Sequence, residues 1–195
     1  MKRQQLIAEL DAFLHPELYK DYAPNGLQVQ GKDEVSRIVT AVSATQNVID
    51  QAIALKADAL LVHHGWFWRN ENPVVVGIKH KRLRALMGAD INLIAYHLPL
   101  DAHETVGNNA QMATLLGAKD IMRGGEGNFV WSGSIDQKNV ADLASDLHRK
   151  LCRPPLVLGN EKKVVNRIAW CSGAAEDFFE RPLSMYLRSG SQIST

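Results

Sequence analysis

The chain contains 195 residues, of which 46% are hydrophobic and 22% are charged, so it can bury a sizeable core. Its 22 basic and 21 acidic residues give a net charge of +1, which provides no long-range attraction to nucleic acid or to an anionic membrane surface. No window approaches the ~18 apolar residues of a membrane span, and the two cysteines match no metal or redox spacing. These features predict a reduced, cytoplasmic globular protein.

Residues 1–123 alternate between amphipathic segments and short apolar runs. Helical periodicity occurs at 1–14, 46–57, 79–87 and 108–117, and the first of these lacks the apolar core of a secretory signal. Runs typical of strands occupy residues 27–29, 36–45, 57–64 and 91–101. The order strand, helix, strand within about forty residues is typical of a parallel sheet. We therefore predict an α/β unit over residues 1–123.

The glycine-rich segment Gly124–Asn128 (GGEGN) is the strongest candidate for a linker. Beyond it, strands are predicted at 129–135, 154–159 and 164–170, and a helix at 139–152. These segments predict a second α/β unit over residues 124–195. The predicted fold is thus two α/β units with mostly parallel sheets, the second of them incomplete.

Two adjacent histidines, His63 and His64, end the apolar run LLVHHG. Successive side chains of a strand point to opposite faces, so the pair can approach one site only if the strand breaks at Gly65. The strand at 91–101 also continues into polar residues, His97 and Asp101. If the two strands are neighbours, these side chains meet at one sheet edge, where Zn, Fe, Mn, Ni or Co would suit them. The alternative is one hydrogen-bonded core histidine beside an exposed one.

Three further features have ordinary structural interpretations beside functional ones. The aromatic run Trp66–Trp68 is either a base-stacking platform or a part of the core or of a subunit interface. The basic run Lys79–Arg84 is either the solvated face of a helix or a phosphate clamp. Cys171 lies beside no evident base, which favours a small buried apolar residue over a nucleophile.

Four stretches together resemble a known family, the dinuclear-metal proteins called GTP cyclohydrolase 1 type 2, which have a NIF-three-like fold. They are DYAPNGLQVQG (21–31), LLVHHGWFW (60–68), YHLPLDAH (96–103) and GNNAQMATLLG (107–117). The segment RIAWCSG (167–173) is also similar to a strand of the family, and the resemblance extends to about Glu180.

The resemblance implies a centre of two divalent metal ions in which His63 and His64 each bind one ion. Asp101 matches the aspartate that shares an ion with His64, and His97 matches a histidine beside that ligand. The family assembles as toroidal hexamers, and its assigned activity is hydrolytic opening of the purine ring of GTP. A metal-activated water would make the attack, with His97 or His103 moving protons.

The C-terminal part of the chain departs from the family. The family's remaining ligands, a histidine and a bridging glutamate, lie in a G-H-x-x-[ST]-E motif, whereas the last histidine here is His148. Glu176 and Glu180 are spaced for one helix face but match no family ligand. We therefore expect a truncated or frameshifted chain that holds its metal weakly or holds a single ion.

Three alternative functions remain beside the nucleotide hydrolase. Two histidines and one carboxylate also resemble the metal triad of non-haem iron enzymes. A second alternative is a non-catalytic metal-binding protein of assembly or interaction. The third is an inactive, truncated member of the family.

Overall fold

The computed structural model describes residues 1–173, so Glu176, Glu180 and the C-terminal tail lie outside the described residues. The helices are α1 (Arg3–Leu14), α2 (Gln46–Ala54), α3 (Gly77–Gly88), α4 (Leu98–Ala102), α5 (Asn108–Leu116) and α6 (Val140–Leu151). The strands are β1 (Gly26–Val29), β2 (Ile38–Ser43), β3 (Ala59–His64), β4 (Asn92–Ala95), β5 (Lys119–Gly124), β6 (Val130–Asn139) and β7 (Val164–Trp170). Among the described helices, none has the length and apolar character needed to cross a membrane.

The chain divides into two compact units, one covering Met1–Leu100 and the other beginning at Asp101. The first unit contains a four-stranded sheet in the order β1-β4-β3-β2. Strands β2, β3 and β4 are parallel, and β1 pairs with β4 in the antiparallel direction. The predicted α/β class and its parallel sheet are confirmed, because α2 and α3 are the crossover helices between successive parallel strands.

Strand β3 is buried on both faces, and each face belongs to a different apolar cluster. One cluster joins Leu60 and Val62 to residues of α2 and α3 such as Ile49 and Leu86. The other cluster includes Ala59 and packs α1 against the opposite face. Because successive side chains of a strand point to opposite faces, the paired histidines at the end of β3 start from opposite faces as well.

Buried polar side chains connect the amino ends of the parallel strands. Asn92, at the start of β4, is fully buried. Its Nδ2 donates to the carbonyls of Lys32 and Asp58, each at 2.9 Å, and its Oδ1 accepts from Gly31 N at 2.8 Å. The Asp58 carboxylate accepts from Ser36 N and Arg37 N at 3.0 Å, just before β2. These bonds fix the relative register of three strands.

The second unit contains an antiparallel sheet in the order β5-β6-β7. The prediction of mostly parallel sheets is therefore wrong for this sheet. The predicted linker joins β5 directly to β6 through a 3-10 turn at Glu126–Asn128, a connection too short for parallel pairing. The predicted domain boundary after residue 123 lies within this compact unit and stays a prediction.

One predicted strand of the second unit is absent from the described residues. Residues 154–159 (PPLVLG) form no strand, and Leu156 and Leu158 are 86% and 87% exposed. Pro154 and Pro155 have no backbone N–H to donate to a neighbouring strand. Within residues 1–173, this apolar segment therefore pairs with no strand.

We predict that Asp58→Ala lowers the free energy of unfolding by about 1–2 kcal/mol at neutral pH, because Ser36 N, Arg37 N and Lys32 Nζ lose their acceptor. The hydrogen bonds from Lys32, Ser36 and Arg37 lower the pKa of Asp58 from 3.8 to about 2. A carboxyl with a lowered pKa stabilises the fold above its unfolded pKa, and this stabilisation disappears as the pH falls through 2. Urea unfolding at pH 7, 4 and 2 should show the difference from wild type shrinking with acid.

The matched control is Asp50→Ala, which removes an exposed carboxylate of α2 that accepts from Gln46. Its effect should stay within about 0.5 kcal/mol. Equal destabilisation by the two substitutions would contradict the role assigned to Asp58.

Candidate metal centre

Three histidines meet at the carboxyl ends of β3 and β4. His63 and His64 end β3, and His97 follows β4 by two residues. One ring nitrogen from each of them lies within 4.8 Å of the others, so the three can hold a metal ion. The convergence of these histidines predicted from the sequence is confirmed.

The strand break that brings the pair together also has a clear cause. A Cβ on Gly65 would lie 2.2 Å from Gln28 Oε1 and 2.7 Å from Ala95 Cβ, so only glycine fits there. The same Gln28 oxygen accepts from Trp66 N at 2.7 Å. The rings of His63 and His64 are 4.4 Å apart, although successive side chains of a strand alternate between its faces.

The aromatic run after Gly65 divides between the core and the site. Trp66 is buried, and its Nε1 donates to Ala44 O at 3.1 Å. Phe67 is 37% exposed and has a φ of 66°, which is rare for a bulky residue. Trp68 packs edge-on against His97, with ring centroids 4.9 Å apart. The core interpretation therefore holds for Trp66, while Trp68 forms one side of the histidine cluster.

Each histidine uses its Nδ1 in a hydrogen bond within the first unit. His63 Nδ1 lies 3.2 Å from Tyr96 O, His64 Nδ1 lies 3.2 Å from Ser43 Oγ, and His97 Nδ1 lies 2.7 Å from an Asp21 oxygen. Metal-binding histidines characteristically use one ring nitrogen in this way and bind the ion with the other. A metal ion held by these rings would therefore contact them at Nε2.

Asp21 is the buried carboxylate of this site, with only 4% of its side chain exposed. It accepts from His97 Nδ1, from Asn25 Nδ2 at 3.0 Å and from Leu98 N at 2.9 Å. Burial alone would raise the pKa of Asp21, but these hydrogen bonds lower it from 3.8 to about 2. The carboxylate is therefore ionised at neutral pH, and the Nδ1 of His97 carries the proton that it accepts.

Asp101 belongs to the second unit, where it is 2% exposed. Its Oδ1 accepts from Asn108 Nδ2 at 2.8 Å and from Ser172 Oγ at 2.9 Å. Both donors are neutral polar groups of the second unit. Cys171 lies nearby, and burial together with the charge of Asp101 raises the pKa of its thiol. A raised thiol pKa agrees with the prediction that Cys171 is not a nucleophile.

Several of these supporting residues had no role in the sequence interpretation. Asp21 and Gln28 lie in the stretch DYAPNGLQVQG, and Ser172 lies in RIAWCSG. Both stretches carried the family resemblance, which was the one signal that pointed to them. Periodicity gave no indication, because Asp21 and Ser172 lie outside regular elements and the short strand β1 does not show what Gln28 contacts.

Residues 1–185 match the Duf34/NIF3 (NGG1p interacting factor 3) family. The chain belongs to the Duf34/NIF3 family. A family member from Neisseria meningitidis serogroup B, named "GTP cyclohydrolase 1 type 2 homolog", is 52% identical over 168 residues, which are 86% of this chain and 68% of the relative. An Escherichia coli protein of the same name is 45% identical over 181 residues, covering 92% of this chain and 73% of the relative. The predicted recognition of the family is confirmed.

Solved structures agree with this family assignment. The structure of protein ybgI, described as of unknown function, has a TM-score of 0.86 and 45% identity, and it matches 92% of this chain and 73% of its own. A crystal structure from Thermus thermophilus has a TM-score of 0.82 and 34% identity, with 92% and 74% of the two chains matched. The Duf34/NIF3 fold therefore extends over the described residues of both units.

We predict that Gly65→Ala lowers the free energy of unfolding by about 1–3 kcal/mol, because the added methyl group overpacks the turn against Gln28 and Ala95. Chemical denaturation would measure the change. The matched control is Gly88→Ala at the end of α3, where an added Cβ meets no atom within 4 Å. That control should be neutral or slightly stabilising, and equal losses in the two variants would contradict the close approach at Gly65.

Proposed function

We propose that this protein is a metal-dependent hydrolase acting on a nucleotide, through ring opening of the guanine base of GTP. The observation that carries the proposal is the cluster of His63, His64 and His97, with one nitrogen of each within 4.8 Å of the others. The name shared by the relatives, "GTP cyclohydrolase 1 type 2 homolog", supports the choice of substrate.

The proposed metal ligands are His63, His64 and Asp101. Their imidazole and carboxylate groups fit Zn, Fe, Mn, Ni or Co better than Ca. Two ions match the family resemblance, and one weakly held ion is the minimum that three protein ligands support. A bound divalent ion would supply a hydroxide at neutral pH by lowering the pKa of its water.

The chain's own side chains prepare the site in three ways. The Nδ1 bonds of the histidines hold their rings and direct Nε2 toward the cluster. Trp68 covers one side of His97 and limits access of water to it. In the second unit, Asn108 and Ser172 hydrogen-bond to the Asp101 carboxylate and orient it.

We also propose that the protein is a cytoplasmic homo-oligomer, the toroidal hexamer implied by the resemblance. Apolar side chains at Val74, Val75, Val76 and Ile78 are 46–68% exposed, which provides surface for subunit contacts. Both cysteines are free thiols, as expected in a reducing compartment. Light scattering on the purified protein would measure the mass, and a monomer at micromolar concentration would contradict the assembly.

We predict that His63→Ala and Asp101→Ala each reduce the bound metal by at least half, because each removes one proposed ligand. Metal content would be measured by mass spectrometry after loading and desalting. His148→Ala, on the solvent side of α6, is the matched histidine control and should bind as much metal as wild type. Unchanged metal content in both ligand variants would exclude the site.

Turnover of GTP by the metal-loaded protein tests the enzymatic part of the proposal. Release of formate from the guanine ring should occur in wild type and fall at least 100-fold in His63→Ala. Bound metal without turnover of any nucleotide would instead favour the non-catalytic metal-binding protein.

A further inference from the structure

The loop before β1 reaches the histidine cluster through the side chain of Asp21. Besides His97, Asn25 and Leu98, the Asp21 carboxylate accepts from its neighbour Tyr22 N at 2.6 Å. Ala23 N donates as well, at 3.4 Å, so donors from two separate parts of the chain hold this carboxylate in one position. A carboxylate held in one position fixes the orientation of the side chain that it binds, which here is the imidazole of His97.

The backbone and the ring of His97 are both fixed by this loop. Asn25 Oδ1 accepts from His97 N at 2.8 Å, while Asp21 accepts from the ring at Nδ1. Trp68 packs against the ring edge-on. Because Nδ1 carries the proton, the neutral ring has its lone pair on Nε2.

The ring of His97 lies among the proposed ligands. Its centroid is 5.1 Å from that of His63 and 5.6 Å from that of His64. We infer that Asp21 is a positioning residue that makes His97 a third imidazole ligand, through Nε2, at the metal centre of His63 and His64. This inference rests on the proposed function.

The sequence predicted that His97 lies beside a metal ligand or moves protons. In the role inferred here, His97 instead binds the metal directly. A carboxylate that accepts the Nδ1 proton makes the imidazole a stronger donor at Nε2 and holds it in the metal-binding tautomer. Asp21 thereby performs for His97 what the Tyr96 carbonyl performs for His63. The negative charge of Asp21 distinguishes the two, and it favours binding of a cation.

The test measures Zn²⁺ affinity of the full chain by competition with a chromophoric chelator. Asp21→Ala and His97→Ala should each weaken binding by about 10–100-fold. The double variant should bind no more weakly than His97→Ala, because Asp21 acts only through that ring. Asp21→Asn, which keeps an acceptor oxygen without the charge, should show a smaller loss than Asp21→Ala.

The matched control is Asp11→Asn, since Asp11 accepts from the hydroxyl of Tyr96 at 2.6 Å without bonding to a histidine. It should leave Zn²⁺ affinity unchanged. A second readout is independent of metal: ¹⁵N NMR of the apo protein at pH 8 should show His97 protonated at Nδ1 in wild type. Asp21→Ala should shift His97 toward the tautomer protonated at Nε2.

The outcomes separate this inference from the proposed function. Normal Zn²⁺ binding by His97→Ala together with loss in His63→Ala would overturn the inference and leave the metal centre intact. Additive losses in the double variant, or a wild-type His97 protonated at Nε2, would also overturn it. A wild-type protein that binds no Zn²⁺ would remove the proposed function and this inference together.

Discussion

The parallel pairing of β3 with β4 is the constraint on which the candidate site depends. Val62 lies opposite Ala95, so both strands end at the same edge of the sheet. His63, His64 and His97 leave the strands at that edge and therefore meet. An antiparallel pair would have put the two strand ends on opposite edges, and the crossover through α3 is what makes the parallel direction possible.

The two ends of this sheet use polar side chains for different purposes. At the amino ends, the polar atoms of Asn92 and Asp58 are hydrogen-bonded, and they hold the strands in register. At the carboxyl ends, hydrogen bonds at Nδ1 orient the imidazoles toward one another. Imidazoles gathered in this way can hold a cation as neutral donors, whereas only a carboxylate would offset its charge.

Much of the first unit and part of the site could be predicted from sequence. Apolar periodicity located α2 and β3, and the paired histidines with Gly65 indicated a strand that breaks at a ligand site. Periodicity failed at residues 154–159, because apolar alternation cannot show whether a partner strand exists. The glycine-rich composition of Gly124–Asn128 likewise cannot distinguish a turn within a sheet from a linker between domains.

The sequence by itself determined the family, most of the elements and the chemical types of the candidate ligands, because these follow from local patterns and from motifs that remain recognisable without a fold. The tertiary structure alone decided which partners orient those ligands. Asp21 and His97 are 76 residues apart in the chain, and Gln28 and Trp66 are 38 apart. No local pattern encodes such pairs, because hydrogen bonds depend on distances and angles that exist only after the strands have paired.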